Sequence, residues 1–135
     1  LRSGGSLKEV GPGGSIGVLT SLDSAIVFSD KLAGSIAGLP GKLPPVWDEL
    51  TLEVNLLDRV VGSKQELDVE PVKLKEVLML NVNSAATVGV VFELKKEHIK
   101  CKLKLPVCAE VDSRVTISRM IGNRFRLIGY GVIKD

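Results

Sequence analysis

A chain of 135 residues, 44% apolar and 25% charged, has room for one domain, or for one small domain and a fragment of another, and it is too apolar for intrinsic disorder. Its net charge of +2 is unevenly spread: residues 94–135 carry ten Lys/Arg against four Asp/Glu, and residues 1–93 carry eight against twelve. A basic end and an acidic start can face different partners, or can be an unevenly charged solvated surface.

No apolar run approaches the roughly 18 residues that cross a bilayer, so a membrane role is not expected. Two cysteines without a signal peptide suggest a reducing, cytoplasmic setting rather than a disulfide scaffold. With aromatics at 4%, the core must come from Val, Leu and Ile, and β-branched residues pack well on a pleated surface. The first residue is Leu1 rather than Met, as expected of a processed chain or an excised piece.

Nine of the fourteen glycines fall in residues 1–41. Within them, Gly11-Pro-Gly-Gly-Ser-Ile-Gly17 is glycine-rich but lacks the Lys-Ser/Thr that a phosphate-binding loop places on phosphate and Mg²⁺, so it reads as a turn entering a strand. Strands are expected at Ser15 to Thr20 and Lys31 to Leu39, with another around Arg2. Fewer than about 40 residues rarely fold alone. Residues 1–39 therefore read as the tail of a partial second β-domain, packed on the rest, paired with a second copy or poorly ordered. Pro40-Gly-Lys-Leu-Pro-Pro45 is too proline-rich for a helix or central strand, and residues 40–46 read as a stiff linker.

Residues 47–135 read as consecutive strands. Leu50 to Asp58 alternates loosely, with Leu52, Val54 and Leu56 on one face. Val60 to Pro71 is charged and without a strand period, a loop with room for a short helical turn. Glu76 to Val82 has apolar residues on both faces, so both are expected to be partly buried. Ala86 to Leu94 contains Gly89, which marks a bulge or bend. His98 to Leu105 alternates most cleanly: Ile99, Cys101, Leu103 and Leu105 point one way, His98, Lys100, Lys102 and Lys104 the other. Arg114 to Met120 and Phe125 to Ile133 form a hairpin with Gly122-Asn123 at the turn. Six strands and no convincing amphipathic helix give an all-β fold, a small antiparallel barrel.

Catalytic raw material is sparse. With a single histidine, His-based metal sites and serine triads lack ligands. His98 and Cys101 lie on opposite faces of one strand, Cys101 and Cys108 have no zinc spacing, and Asp48-Glu49 and Glu66, Asp68, Glu70 are solvated local runs. Basic residues remain. Lys100, Lys102 and Lys104 share a face, and Arg114, Arg119, Arg124 and Arg126 are expected close together on the hairpin, with Arg124 and Arg126 on one face. Arginine forks suit the phosphates of RNA or an acidic protein surface. The same pattern also serves an outward strand face kept soluble by charge.

Eight segments carry a resemblance: Pro12-Gly-Gly-Ser-Ile-Gly17, Leu43-Pro-Pro-Val-Trp47, Leu50-Thr-Leu-Glu-Val-Asn-Leu-Leu57, Glu76-Val-Leu-Met-Leu-Asn-Val82, Thr87-Val-Gly-Val-Val91, Leu105-Pro-Val-Cys-Ala-Glu110, Ile117-Ser-Arg119 and Arg124-Phe-Arg-Leu-Ile-Gly-Tyr-Gly131. With these the chain resembles the gamma subunit of the archaeal and eukaryotic heterotrimeric translation initiation factor two. Leu22 to Leu32 departs from the family pattern, and Phe125 stands where the family usually has Trp.

The resemblance implies an elongation-factor-Tu-like protein, a GTPase domain followed by two β-barrels. Residues 1–39 would end the second domain, and residues 47–135 would be the whole third. It implies no catalysis and no cofactor in this chain, with GTP and Mg in the missing GTPase domain. The implied partners are the alpha and beta subunits, initiator methionyl-tRNA and the small ribosomal subunit, and the third barrel would pack on the other two domains. Two other readings stay open: the C-terminal barrel of another translational GTPase, such as an elongation factor, and a free-standing β-barrel RNA-binding module.

Overall fold

The computed structural model describes residues 5–62 and 67–135. The expected strand around Arg2, the carboxylate of Glu66 and the middle of the Val60 to Pro71 loop lie outside the described residues. Contacts divide the chain into two units, Leu1–Leu32 and Ala33–Asp135.

The first unit differs from the expectation. Its described residues form no strand; they hold one helical turn, α1 (Ser24–Val27), followed by a 3₁₀ turn over Phe28–Asp30. Asp23 caps α1, its Oδ1 accepting a hydrogen bond from the amide of Ala25 at 2.9 Å. Lys31 to Leu39 forms no strand either. The physical reason is pairing. A strand needs a neighbour for its amides and carbonyls, and among the described residues these segments pair with no strand.

The second unit contains a closed antiparallel barrel of six strands: β1 (Val46–Leu56), β2 (Val77–Val82), β3 (Ala85–Leu94), β4 (His98–Cys108), β5 (Arg114–Ile121) and β6 (Arg124–Lys134). Their order around the barrel is β1-β4-β3-β2-β5-β6, with β6 returning to β1. The hairpins β2–β3 and β5–β6 turn at Asn83-Ser84 and Gly122-Asn123, where Asn83 (φ 53°) and Gly122 (φ 65°) take the left-handed conformation that such residues tolerate.

Inward positions recur every second residue. Leu50 and Leu52 of β1, Leu78, Leu80 and Val82 of β2, Val91 of β3, Ile99, Cys101 and Leu103 of β4, Val115 and Ile117 of β5, and Ile128 and Ile133 of β6 form one core. Each such side chain contributes on the order of 1.5–3 kcal/mol by leaving water.

Three expectations change. The strand expected from Leu50 begins at Val46. In β2 only Leu78, Leu80 and Val82 are buried; Val77 and Asn81 face solvent, so one face alone meets the core. In β4 the inward run breaks at Leu105, which is 60% exposed. Its cause is a wide irregularity: Trp47 pairs with Val107 and Glu49 with Lys102, so four residues of β4 stand opposite Asp48 alone. Thr87, the one buried polar residue among those described, anchors this detour. Its hydroxyl donates to the Leu105 carbonyl at 2.9 Å and accepts from the Leu105 amide at 3.1 Å.

Beyond β1 the chain continues to pair. The Leu57 amide donates to the Ile128 carbonyl (2.8 Å), Val61 to Leu127 (3.2 Å) and Val60 to Leu67 (2.9 Å). The described part of the expected loop is thus a hairpin-like flap that buries Val60, with Leu67, Val69 and Val72 packed on the core.

Closure demands glycine at one crossing. A Cβ on Gly129 would stand 2.4 Å from the Asn55 carbonyl oxygen and 2.9 Å from the Leu56 Cα, both backbone atoms that cannot step aside. Gly129→Ala should therefore cost about 2 kcal/mol or more, as overpacking does. Gly122→Ala, at a positive φ with open space around it, should cost about 1 kcal/mol. Urea unfolding midpoints check this; equal midpoints for the two variants would refute the crowding argument.

Candidate functional site

Two of the distinctive sequence motifs meet in space. Pro44-Pro-Val-Trp47 runs alongside Cys108-Ala109. The Trp47 Nε1–H donates to the Ala109 carbonyl (2.8 Å), the Ala109 amide to the Pro45 carbonyl (3.2 Å), and the Cys108 thiol to the Pro44 carbonyl (3.2 Å). Prolines donate no amide hydrogen bond, so Pro44 and Pro45 present carbonyls only, and the Cys108 thiol and the Ala109 amide supply the donors to them. The junction is structural: it fixes where the chain enters the barrel.

The lysine face of β4 exists as expected but is electrically matched. Lys100 lies 3.4 Å from Glu93, and Lys102 lies 3.3 Å from Glu49 and 3.7 Å from Asp48. Lys134 of β6 continues the pattern, 3.0 Å from Asp112 and 3.7 Å from Glu53. Hydrogen bonds from Lys95 and Lys100 hold the Glu93 carboxyl below its ordinary pKa, and the Asp112 carboxylate raises that of Lys134. Lys104 makes no ion pair among the described residues. The matching carboxylates escaped a linear reading because they come from other strands: Glu49 is 53 residues from Lys102 in sequence.

The four hairpin arginines do not form one cluster, which corrects the expectation. Arg119 pairs across the strands with Arg126, and Arg124 follows two residues on, but Arg114 lies at the opposite end of β5. Five residues of strand put it roughly 17 Å from Arg119. Arg114 stacks on Tyr130, its guanidinium carbon 4.7 Å from the ring centroid. Arg126 lies beside Gly62 of the flap, within 3.0 Å of where a Cβ there would stand.

Arg119 is already engaged. It shares the inward side of β5 with Ile117 at one mouth of the barrel and holds both carboxylate oxygens of Glu76. Its Nη1 donates to the Glu70 carbonyl at 2.9 Å and its Nη2 to the Pro71 carbonyl at 3.3 Å. At 15% and 18% exposure, Arg119 and Glu76 form a largely desolvated clamp that holds residues 70–76 against β5.

The seven basic residues thus occupy separate places. In the ring of strands β4 and β5 are three apart in either direction, so the lysine face and the arginine hairpin sit on opposite walls. Among the described residues no group of three His, Cys, Asp or Glu side chains is placed to hold a metal ion, and no helix is long and apolar enough to cross a membrane.

Against this geometry, residues 48–133 match the family described as "Initiation factor eIF2 gamma, C terminal". The chain belongs to this initiation factor gamma family. Translation initiation factor 2 subunit gamma of Pyrococcus horikoshii is 58% identical over 136 residues, with 100% of this chain and 33% of the relative covered. The protein of the same name from Thermococcus kodakarensis is 56% identical over the same shares. That from Methanocaldococcus jannaschii is 53% identical over 95% of this chain and 31% of its own length. The chain spans about a third of the length of these relatives. The matched residues cover nearly all of the barrel and the Cys108-Ala109 half of the Trp47 junction, and the family is that of the C-terminal part of an initiation factor subunit.

Removing one partner of the desolvated clamp should cost far more than removing an exposed charge. Arg119→Ala is expected to destabilise the chain by about 3 kcal/mol or more, and Lys102→Ala by less than about 1 kcal/mol, both read from urea midpoints. Equal costs would show that burial does not set the value of these pairs. Cys101 gives a pH test. Burial pushes its thiol from 9.0 up to about 12, so the unfolded thiol ionises first and stability should fall as pH rises between those values. A Cys101→Ala variant should lose less over that window; an identical decline would remove Cys101 as its source.

Proposed function

We propose that this chain is the non-catalytic C-terminal portion of a longer GTP-binding protein that carries initiator methionyl-tRNA to the small ribosomal subunit. The observation that carries the reading is similarity along the whole chain: 58% identity to an initiation factor gamma subunit across 100% of this chain. In this reading GTP and Mg are held by the part of the protein outside the matched third. The name "subunit gamma" borne by these relatives supports assembly with further subunits, which we take to be alpha and beta, in the cytoplasm. Residues 1–39 end the second β-domain, and the linker expected at 40–46 leads into the third barrel, whose first strand already begins at Val46.

A secondary contact with RNA is supported by one observation. Lys104, Arg124 and Arg126 carry no ion pair among the described residues, whereas Lys100, Lys102 and Arg119 are neutralised by carboxylates. Uncompensated cations are those that can exchange counterions for phosphates.

The test joins this chain to the first two thirds of the Pyrococcus horikoshii relative in place of that protein's own last third. The joined protein should retain GTP-dependent binding of initiator methionyl-tRNA, measured by filter binding, and the 135-residue chain alone should give no calorimetric signal with GTP. Loss of tRNA binding by a folded joined protein, or micromolar GTP affinity of the chain alone, would overturn the reading.

A further inference from the structure

Four lysines crowd one wall of the barrel, and the register sets them in rows. One row runs Lys134–Thr51–Lys100–Glu93, and the next pairs Glu49 with Lys102. Lys100 and Lys102 stand two residues apart on one face of β4, about 7 Å. Lys134 and Lys100 flank Thr51, two strand spacings or about 10 Å apart. Lys95 stands in the β3–β4 turn, where its amide donates to the His98 carbonyl at 2.8 Å. Cations this dense are what a phosphate backbone binds without regard to sequence.

Each of the four is covered by a carboxylate. Glu93 divides its oxygens, Oε1 lying 3.2 Å from Lys95 and Oε2 3.4 Å from Lys100. Glu49 and Asp48 reach Lys102 at 3.3 and 3.7 Å. Asp112 and Glu53 reach Lys134 at 3.0 and 3.7 Å. Four positive charges therefore face five negative ones. The ordinary services of charge need less. Lysines alone already keep an outward strand face soluble. Exposed pairs stabilise by only about 0–1 kcal/mol each. Register needs one carboxylate opposite a lysine, and Lys102 and Lys134 have two each.

The surplus acts on what approaches from outside. A lysine neutralised by a fixed carboxylate has no counterion to release, so a phosphate gains little by meeting it. The additional negative charge repels a polyanion outright. Strand β6 shows the contrast within one element. Its start carries Arg124 and Arg126 to the mouth of the barrel beside Arg119, with no carboxylate on either among the described residues. Its end carries Lys134 under two carboxylates. Discrimination between surfaces is made by building repulsion against the wrong contact as well as attraction for the right one.

We propose that Glu49, Glu93 and Asp112 are specificity-determining residues. They cancel the lysines of this wall and confine an RNA backbone to the cations left bare, Arg124 and Arg126 at the mouth and Lys104 at the β4 detour. Without them the wall would itself bind RNA. This inference rests on the secondary RNA contact proposed above and is independent of the carriage of initiator tRNA.

Fluorescence anisotropy of a labelled single-stranded RNA with the 135-residue chain, over about 50–200 mM salt, tests the proposal. Glu49→Gln, Glu93→Gln and Asp112→Asn together should tighten binding at low salt. The log–log salt slope should steepen by about 1.5–2, two or three phosphates at about 0.7 each. Gln and Asn keep a carbonyl for the lysines, and Asn suits the φ of 69° at Asp112, so the fold is retained. Glu93→Gln alone, which frees Lys95 and Lys100, should give about half of that steepening. A charge-matched control, Glu9→Gln with Asp30→Asn and Glu110→Gln, removes exposed carboxylates that bear no ion pair among the described residues, and should keep the slope of the unsubstituted chain. An unchanged slope in the wall variants would overturn the proposal. So would an equal gain in the control, or a gain that survives Lys100→Gln with Lys102→Gln. Arg124→Ala with Arg126→Ala in the otherwise unsubstituted chain separates the two readings. If RNA binding does not fall, the mouth contact fails; if it falls while the wall variants gain nothing, the carboxylate proposal alone fails.

Discussion

Closure of the sheet is the constraint on which every other feature of the barrel depends. β1 must pair with β4 on one side and β6 on the other, and the second pairing brings Gly129 against Leu56 and Gly131 against Val54. At Gly129 the backbones approach so closely that no side chain fits between them. Once the ring is closed there is no edge to protect, and alternation alone decides which side chains enter the core. The irregularities follow from the same demand. Ile128 has no counterpart between Ile117 and Ser118, and this extra residue lets β6 bend as it turns from β5 toward β1.

Electrostatics is a consequence of that closure rather than its cause. β1 carries Asp48, Glu49 and Glu53 outward, and closure places it between the lysines of β4 and Lys134 of β6. Each of these exposed pairs is weak, so their service lies in register: sliding β1 by one residue would turn its carboxylates away from the lysines and its leucines out of the core. Arg119 works differently because it is mostly out of water. Its attraction to Glu76 is strong, yet so is the desolvation it must offset, and the carbonyls of Glu70 and Pro71 take two further N–H donors.

The sequence disclosed those features that depend on one strand at a time. Period-two alternation located all six strands and most of the core, because an inward Leu52 or Ile99 is apolar whatever its neighbours are. The turn at Gly122-Asn123 was equally local. Features that depend on two strands were hidden. The detour at Leu105 arises from the mismatch between β4 and β1, and the partners of Lys102 and Arg119 lie 53 and 43 residues away. The proline-rich entry reads as a linker in one dimension, and only its pairing with Cys108-Ala109 reveals that residues 44–46 are held by the barrel. Strands predicted in residues 15–20 and 31–39 had the composition of strands but pair with no strand among the described residues, and composition cannot report pairing.

The basic hairpin shows how pairing changes the meaning of residues. In one dimension Arg119, Arg124 and Arg126 read as charge on an outward strand face. The register reverses this. Because Ile117 fills the core, Arg119 shares its side of the sheet, and the pairs Arg119–Arg126 and Ile121–Arg124 carry the arginines to the mouth of the barrel. Met120, Phe125 and Leu127 are turned to the outer wall instead. A polyanion reading the hairpin side-on would meet methionine and leucine, and would find arginine only at the mouth. The flank of the hairpin is therefore apolar and its end basic.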